Sequence, residues 1–225
     1  MPIANAKNRG YYKIEGAIRA FNFDFRGKTV LDIGSSTGGF TQHALDCGAK
    51  KVIAVEKGTN QMVKPLRYDK RIELHEKTDI FSVETIELSS EGHPQLLRGR
   101  SDKPRKDGRG GECPEKDNSI VTTENPDVIV ADVSFISLKK VLSYAKVHLS
   151  NHQTDFLVML KPQFEATPDQ LNKGIVKNEK IRREIIKNFE LWLKQNGFIL
   201  IKKHDNELHG KNGNIERFYW LRTIR

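Results

Sequence analysis

Long apolar stretches are missing from this sequence, whose longest uninterrupted run of hydrophobic residues covers only residues 156–160. A transmembrane helix needs roughly 18 or more apolar residues in succession. The N-terminus is polar and does not have the apolar core of a secretory signal. We therefore expect no membrane span, no membrane partner and a cytoplasmic protein.

Cysteine is equally scarce, since the chain has two, Cys47 and Cys113, far apart in the sequence. Neither has a neighbouring cysteine, which argues against a disulfide framework and against a zinc ribbon. His148 and His152 have the i, i+4 spacing of a helical metal pair, but the glutamate of an HExxH motif is absent. We expect reduced thiols and no metal.

Positive charge is what the sequence has in excess, with 38 Lys and Arg against 29 Asp and Glu and a net charge of +9. Basic surfaces attract polyanions because each phosphate contact releases condensed counterions. A soluble basic surface without such a partner would give the same composition. The 225 residues, 37% of them hydrophobic, can bury the core of one domain, which we expect to span residues 1–225.

Apolar runs typical of buried strands alternate with helical patterns along the chain. The strand-like runs are residues 30–33, 52–55, 72–74, 128–131, 156–160, 198–201 and 217–222. The helical patterns are an N-terminal helix over residues 11–21 and later segments at 40–47, 138–149 and 181–193. This alternation predicts an α/β fold of the Rossmann-like type, with a mostly parallel sheet and helices on both faces. The last two runs have no helical pattern between them, which predicts a terminal antiparallel hairpin.

Residues 98–126 break this rhythm, because they are rich in basic residues, glycine and proline and contain almost nothing apolar. We expect a mobile insertion in the domain. It is either a solvated loop or an auxiliary contact for RNA.

A glycine-rich turn follows the first predicted strand. Gly34, Gly38 and Gly39 would let the backbone approach a ligand at the carboxyl end of that strand, where ligands bind in open α/β sheets. Asp32 would repel a pyrophosphate and suits a cationic ligand better. The alternative is that the glycines merely make a tight connection.

Two more acids follow the next two strands, Glu56 after the second and Asp79 after the third. Glu56 could accept both hydroxyls of a ribose, and Asp79 could accept from an adenine amino group. S-adenosylmethionine carries an ammonium, a sulfonium and an adenosine, so three acids at three strand ends suit its chemistry. The predicted cofactor contacts are Asp32, Gly34, Ser35, Ser36, Gly38, Gly39, Phe40, Glu56 and Asp79.

Asp132 ends the fourth predicted strand and Lys161 ends the fifth, so both should reach the same sheet edge as the cofactor. The sequence here resembles the FtsJ-like superfamily of RNA 2′-O-methyltransferases, and within it the TlyA (hemolysin A) family of ribosomal RNA methyltransferases. The stretches that carry the resemblance are residues 9–15, 31–41, 132–138, 161–165, 174–176 and 213–216.

The resemblance implies a class I methyltransferase fold with a seven-stranded sheet, S-adenosylmethionine as cofactor, and methyl transfer to a ribose 2′-hydroxyl of RNA. It implies ribosomal RNA or a ribosomal subunit as partner. It also implies a catalytic tetrad, which by motif falls on Lys13, Asp132, Lys161 and Glu216. A lysine with an ordinary pKa of about 10.4 is protonated at neutral pH, so Lys161 either acts as a base after its pKa is lowered or only positions the hydroxyl.

RNA contacts are predicted at Arg9, Tyr11 and Tyr12, where aromatic rings could stack on bases beside a guanidinium. Helix packing is an equally good interpretation of either tyrosine, and Phe135 is expected to face the core or line the pocket. Members of the TlyA family typically carry an N-terminal RNA-binding domain, whereas only eight residues precede Arg9 here. Capture of RNA is then expected to rely on the basic surface, the insertion or a partner.

Two other functions compete with methyl transfer. One is a non-catalytic RNA-binding or ribosome-associated protein that keeps the fold. The other is the membrane-lytic role in the hemolysin name, which no amphipathic membrane-binding stretch of the sequence supports.

Overall fold

The computed structural model describes residues 7–88, 94–96, 120–122, 125–208 and 213–224. These residues form five α-helices: α1 (Arg9–Phe21), α2 (Gly39–Asp46), α3 (Lys64–Arg67), α4 (Leu138–His148) and α5 (Glu179–Gln195). They form twelve strands: β1 (Thr29–Ile33), β2 (Lys51–Val55), β3 (Ile72–His75), β4 (Val83–Leu88), β5 (Pro94–Leu96), β6 (Ile120–Thr122), β7 (Val128–Ala131), β8 (Asp155–Leu160), β9 (Leu171–Asn172), β10 (Ile175–Val176), β11 (Phe198–Asp205) and β12 (Arg217–Thr223).

Seven of these strands make the central sheet, in the order β11-β12-β8-β7-β1-β2-β3. The strands from β8 to β3 pair in parallel, and β12 is antiparallel to both of its neighbours. This topology confirms the predicted Rossmann-like sheet with its terminal hairpin. The chain order reverses between β1 and β7, and ligands of open α/β sheets bind at such a switch point.

Helices cover both faces of the sheet. Every residue of β1, β7 and β8 is buried, as expected for strands with helices on either side. Alternate strand residues point into two apolar cores, one closed by α1, α2 and α3 and the other by α4 and α5. Because these cores fix the strands on both sides, the loops at the carboxyl edge are held in defined positions.

Helix α1 begins two residues before the predicted segment. The Asn8 side chain caps it by accepting a hydrogen bond from the Tyr11 N–H at 3.1 Å. Asn178 likewise caps α5 by accepting from the Ile181 N–H at 3.0 Å, so that helix also begins two residues before its apolar pattern. Caps are polar and lie outside the apolar periodicity, which explains both differences.

Most of the predicted insertion at residues 98–126 lies outside the described residues. The part that is described includes β6, which pairs with β4 in a small sheet that also contains β5. None of the helices formed by the described segments combines the length and the apolar character needed to cross a membrane.

Candidate active site

A cavity of about 570 Å³ opens at the carboxyl ends of β1, β2 and β7. Its walls are the turns that follow these strands and the loop that follows β3. The lining residues are Ile33, Gly34, Ser36, Val55, Glu56, Lys57, Gln61, Thr78, Asp79, Ile80, Phe81, Asp132, Val133, Ser134, Phe135, Ile136 and Val141. The cavity therefore lies at the switch point of the sheet.

Four of the predicted cofactor residues line this cavity: Gly34, Ser36, Glu56 and Asp79. The Glu56 carboxylate is held at the tip of β2, because it accepts hydrogen bonds from the Ser36 N–H at 2.8 Å and the Gly58 N–H at 2.7 Å. Gly34 has φ +79 and lies against the Asp132 carbonyl, 3.2 Å from where a Cβ would stand. The absence of a side chain at Gly34 thus lets the β1 and β7 turns meet.

The other five predicted cofactor residues do not line the cavity. Asp32, Ser35 and Phe40 are buried, and Phe40 packs on Phe218 in the core. A Cβ on Gly38 would meet the Leu66 side chain at 2.3 Å, and one on Gly39 would meet the Tyr11 backbone N at 2.7 Å. The absence of a side chain at these two glycines therefore allows α3 and α1 to pack against the start of α2.

Asp32 is fully buried beside the glycine turn. Its Oδ2 accepts from the Thr41 hydroxyl at 2.6 Å, whereas Oδ1 has no hydrogen-bond partner among the described residues. Burial, aided by the nearby Asp132 and Glu56 carboxylates, raises the pKa of Asp32 to about 7. A cation bound nearby would favour its charged form, so Asp32 can act on a ligand through charge.

Asp79 forms the far wall of the cavity. Its carboxylate accepts from Lys57 Nζ at 3.0 Å and from the Phe81 N–H at 3.2 Å. Partial burial would raise the pKa of Asp79, but the hydrogen bonds from Lys57 and Phe81 outweigh it and leave the pKa below its ordinary value. Asp79 is therefore a carboxylate at neutral pH.

The lining suits S-adenosylmethionine. Val55, Ile80, Val133 and Ile136 supply apolar walls for an adenine ring. The carboxylates of Glu56, Asp79 and Asp132 supply hydrogen-bond acceptors and negative charge for ribose hydroxyls, an amino group and a sulfonium. Among the described residues, no three His, Cys, Asp or Glu side chains are grouped as metal ligands would be.

Lys161 and Asp132 meet at the rim of this cavity. Lys161 Nζ lies 2.6 Å from Asp132 Oδ1, a close contact of charges that does not have the alignment of a hydrogen bond. Nζ donates instead to the Ser134 hydroxyl at 2.7 Å. The lysine side chain is 10% exposed and the aspartate 23%, so the pair is accessible from one side only.

Lys13 and Glu216 form a second, deeper ion pair with Nζ 2.5 Å from Oε2. The side chains are 9% and 4% exposed, and Asn206 Nδ2 also approaches Glu216 Oε2 at 3.5 Å. Arg217 pairs with Leu160 across β12 and β8. Glu216 and Lys161 are the next residues beyond that pair, so the strand register places their backbones side by side at the same edge.

Phe135 is a residue for which the sequence left two positions open, in the core or in the lining of the pocket. It lines the cavity as predicted, but 92% of it is exposed and it does not face the core. Its φ is +64, a region costly for a bulky residue, and its ring lies 5.3 Å from that of Phe164. Ser134 and Phe164 were not predicted as site residues, and their only signal is proximity in sequence to Asp132 and Lys161.

The three predicted RNA contacts differ in accessibility. Arg9 is exposed, and Tyr12 is 47% exposed. Tyr11 is 4% exposed and packs edge-on against His43 at 4.9 Å. Its ring is not available to stack on a base. Tyr11 is therefore a helix-packing residue, and the predicted RNA contact at this position is wrong.

Comparisons with known proteins agree with this geometry. A family model described as FtsJ-like methyltransferase matches residues 6–223. The 16S/23S rRNA (cytidine-2′-O)-methyltransferase TlyA of Mycobacterium tuberculosis is 31% identical over 217 residues, which make up 96% of this chain and 68% of that protein. Hemolysin A of Brachyspira hyodysenteriae is 32% identical over 210 residues, 93% of this chain and 73% of that protein.

A solved structure shows a similar relationship. A hemolysin-type protein from Streptococcus thermophilus has a TM-score of 0.75 and 30% identity, and the match covers 96% of this chain and 66% of that chain. The chain therefore spans between 66% and 73% of the length of these three relatives.

Proposed function

The chain belongs to the FtsJ-like methyltransferase family, and on that premise we propose that it transfers the methyl group of S-adenosylmethionine to the 2′-hydroxyl of a ribose in RNA. The observation that carries the proposal is the Lys161–Asp132 pair, because Asp132 lines the cavity that suits the cofactor and Lys161 lies beside it. A substrate oxygen held by Lys161 would thus stand next to the bound donor.

The cofactor, when bound, supplies an electrophilic methyl group on a sulfonium. Glu56 is suited to receive the ribose hydroxyls of the donor, and Asp79 its adenine amino group, since both carboxylates line the cavity. The negative charge of Asp32 would favour binding of the cationic donor without direct contact. These assignments leave the rim of the cavity to the RNA.

Lys161 has the geometry to hold the substrate oxygen. An ammonium carries three N–H donors, of which one is directed at Ser134 and the charge is balanced by Asp132. One of the two remaining donors can bond to the 2′-oxygen and align it with the methyl group, and alignment of this kind is worth several kcal/mol. Transfer of the methyl group from the sulfonium to this oxygen would release the hydroxyl proton, which solvent would accept.

Lys13 and Glu216 form a buried support for this site. Their ion pair stands next to Lys161 through the β8–β12 register, so it fixes the edge from which Lys161 projects. Neither side chain is open enough to bind a large substrate. We assign both to the tetrad, as residues that influence the electrostatic potential at Lys161 and its position.

The RNA is proposed to be ribosomal. The M. tuberculosis relative is named as an enzyme that acts on 16S and 23S rRNA, and the net charge of +9 suits a polyanionic substrate. Arg9, Tyr12 and Phe135 are exposed and can contact RNA, and Phe135 lines the cavity. A lone ribose would not need such a surface.

The test combines donor binding with mapping of the product. Calorimetry with S-adenosylmethionine should show one site, and mass analysis of nucleosides after incubation with ribosomal RNA or subunits should show a 2′-O-methyl nucleoside. Lys161→Ala should lower methyl transfer by 10²–10⁴-fold, the usual range for a proton-transfer or positioning group, with donor affinity nearly intact. Lys146→Ala is the matched control, because Lys146 bonds the Asn196 carbonyl at the far end of α4.

Two results would contradict the proposal. A wild-type protein that does not bind the donor would exclude methyl transfer. Undiminished turnover in Lys161→Ala would remove Lys161 from the reaction.

A further inference from the structure

Two loops carry the groups that would perform the chemistry. The β7 loop (residues 132–137) contains Asp132, and the β8 loop (residues 161–165) contains Lys161. The parallel pairing of β7 with β8 ends at Ala131 and Val158. Beyond that point β7 and β8 are no longer paired with each other, so side-chain contacts between the two loops help to set the Lys161–Asp132 distance.

Glu165 makes the most extensive of these contacts. Its Oε2 accepts from the Ser137 hydroxyl at 2.8 Å and its Oε1 accepts from the Leu138 N–H at 2.6 Å. The side chain is 4% exposed, and Lys139 Nζ lies 4.0 Å from Oε2. The end of the β8 loop is thereby tied to the last residue of the β7 loop and to the first residue of α4.

The location of this carboxylate at the start of α4 strengthens the link. Ser137 is the N-cap residue of α4, and its hydroxyl oxygen accepts from the Lys139 N–H at 3.2 Å while it donates to Glu165. A negative charge is favoured at the N-terminus of a helix, where backbone N–H groups lack partners within the helix. Glu165 thus docks the β8 loop on a rigid element.

Burying Glu165 has a cost, which indicates that its geometry is what matters. Burial raises the pKa of Glu165, and the hydrogen bonds from Ser137 and Leu138 offset this only in part. An apolar side chain would fill the space without the desolvation of a charge. Only a bidentate acceptor, however, fixes both the distance and the orientation of the β8 loop relative to α4.

We propose that Glu165 is a positioning residue that holds Lys161 against Asp132 by clamping the β8 loop to the N-terminus of α4. It acts through Lys161 and touches neither the donor nor the RNA. The inference rests on the proposed methyl transfer, since it gives Glu165 a role in that reaction. Its test must therefore separate a failed clamp from a failed assignment of function.

The kinetic test uses Glu165→Ala, Glu165→Gln and a matched control. Glu165→Ala should lower kcat roughly 100-fold, the effect of a displacement of about 1 Å at a reacting group, with the dissociation constant of the donor unchanged. Glu165→Gln can still accept from Leu138 and donate to Ser137, so its kcat should stay within about tenfold of wild type. Asp155→Ala is the control, because Asp155 is a buried carboxylate at the opposite end of β8 that accepts from Trp220 and Arg222.

A spectroscopic test does not depend on turnover. In protein with ¹³C-labelled lysine, the Lys161 Cε resonance, assigned through Lys161→Arg, reports on the charge contact with Asp132. Glu165→Ala should shift this resonance, whereas Asp155→Ala should not. Ser137→Ala removes one of the two bonds of Glu165 and should produce a smaller shift, which keeps the test usable if Glu165→Ala does not fold.

The outcomes separate the two claims. A wild-type protein with no methyl transfer, in which Glu165→Ala still shifts the Lys161 resonance, would overturn the proposed function and keep the clamp. An active wild type with an unchanged kcat and an unchanged Lys161 resonance in Glu165→Ala would overturn the clamp. An equal loss of kcat in Glu165→Ala and Asp155→Ala would show that Glu165 only stabilises the protein, and it would also overturn the clamp.

Discussion

Lys13 on α1 and Glu216 before β12 form an ion pair whose side chains are more than nine-tenths buried. Removal of one partner leaves an uncompensated buried charge, which typically costs about 3–5 kcal/mol. We expect Glu216→Ala to lower the free energy of unfolding by about that amount and to abolish methyl transfer. Urea denaturation monitored by circular dichroism measures the first effect, and labelled-donor transfer measures the second.

A paired replacement separates stability from catalysis. Lys13→Met combined with Glu216→Leu fills the same space without charge, so its stability should return to within about 1–2 kcal/mol of wild type. Its activity should stay lost. Glu207→Ala, at an exposed neighbouring position, is the control. An active double variant would show that the pair is structural only.

Phe135 is the exposed aromatic residue at the cavity mouth, and its backbone is strained by a φ of +64. We expect it to stack on a base of the RNA, an interaction worth about 1–3 kcal/mol per base. Phe135→Gly should weaken RNA binding by that amount without loss of stability, because glycine adopts this φ freely. Equilibrium binding of an RNA fragment and thermal denaturation measure the two effects.

Two other variants make the test of Phe135 specific. Phe135→Trp keeps a stacking ring and should retain RNA affinity. Tyr68→Ala removes another aromatic side chain, 75% exposed and not part of the cavity lining, and should have no effect. Equal loss of affinity in Tyr68→Ala and Phe135→Gly would argue against a specific base contact.

Asp32 should make the stability of the protein fall as the pH rises from about 4 to about 7. Burial raises its pKa from 3.8 to about 7, so between these values the folded state binds a proton that the unfolded state has released. About three pH units at about 1.4 kcal/mol each give at most about 4 kcal/mol. Asp32→Asn should remove this loss, as urea denaturation at pH 5 and pH 8 would show.

The same substitution tests the charge of Asp32 toward the donor. Asp32→Asn keeps an oxygen for the Thr41 hydroxyl but has no negative charge, so affinity for S-adenosylmethionine should fall while stability at pH 8 rises. Such a trade between stability and function is common at ligand sites. Parallel stability curves of the two proteins from pH 5 to pH 8 would show that the pKa of Asp32 is not raised.

Glu56 should control donor affinity without affecting the Lys161–Asp132 pair. Glu56→Gln retains one acceptor oxygen but loses charge-assisted hydrogen bonds, each worth about 1.5–3 kcal/mol. We expect calorimetry to show donor affinity about 10–100-fold weaker and kcat at saturating donor nearly unchanged. Glu184→Gln, exposed on α5, is the control. An equal loss of donor affinity in both variants would show that Glu56 does not bind the donor.

The sequence predicted the sheet well because its signals are local. The fourth predicted strand, residues 128–131, matches β7 exactly in its bounds, and the others differ at their ends by a few residues. β11 extends to Asp205, farther than its apolar run, because pairing with β12 continues after the apolar side chains end. Helix starts were late by two residues at α1 and α5, where polar caps precede the apolar pattern.

The site was predicted only in part. Acids and lysines that directly follow parallel strands must share one edge of the sheet, so Glu56, Asp132 and Lys161 could be placed there from the sequence. The sequence left open whether the glycine turn contacts a ligand or only makes a tight connection, and it did not show that Gly38 and Gly39 approach α3 and α1. Such contacts join residues far apart in the chain, and no local pattern encodes them.

Sequence by itself determined the fold class, the residue types at the strand ends and the excess of positive charge. Tertiary structure alone decided that Tyr11 is buried, that Phe135 is exposed and that Glu165 ties two loops together. The physical reason is that periodicity and capping act over a few residues of one segment. Burial, pKa shifts and bonds between loops depend instead on which distant segments the packed sheet brings into contact.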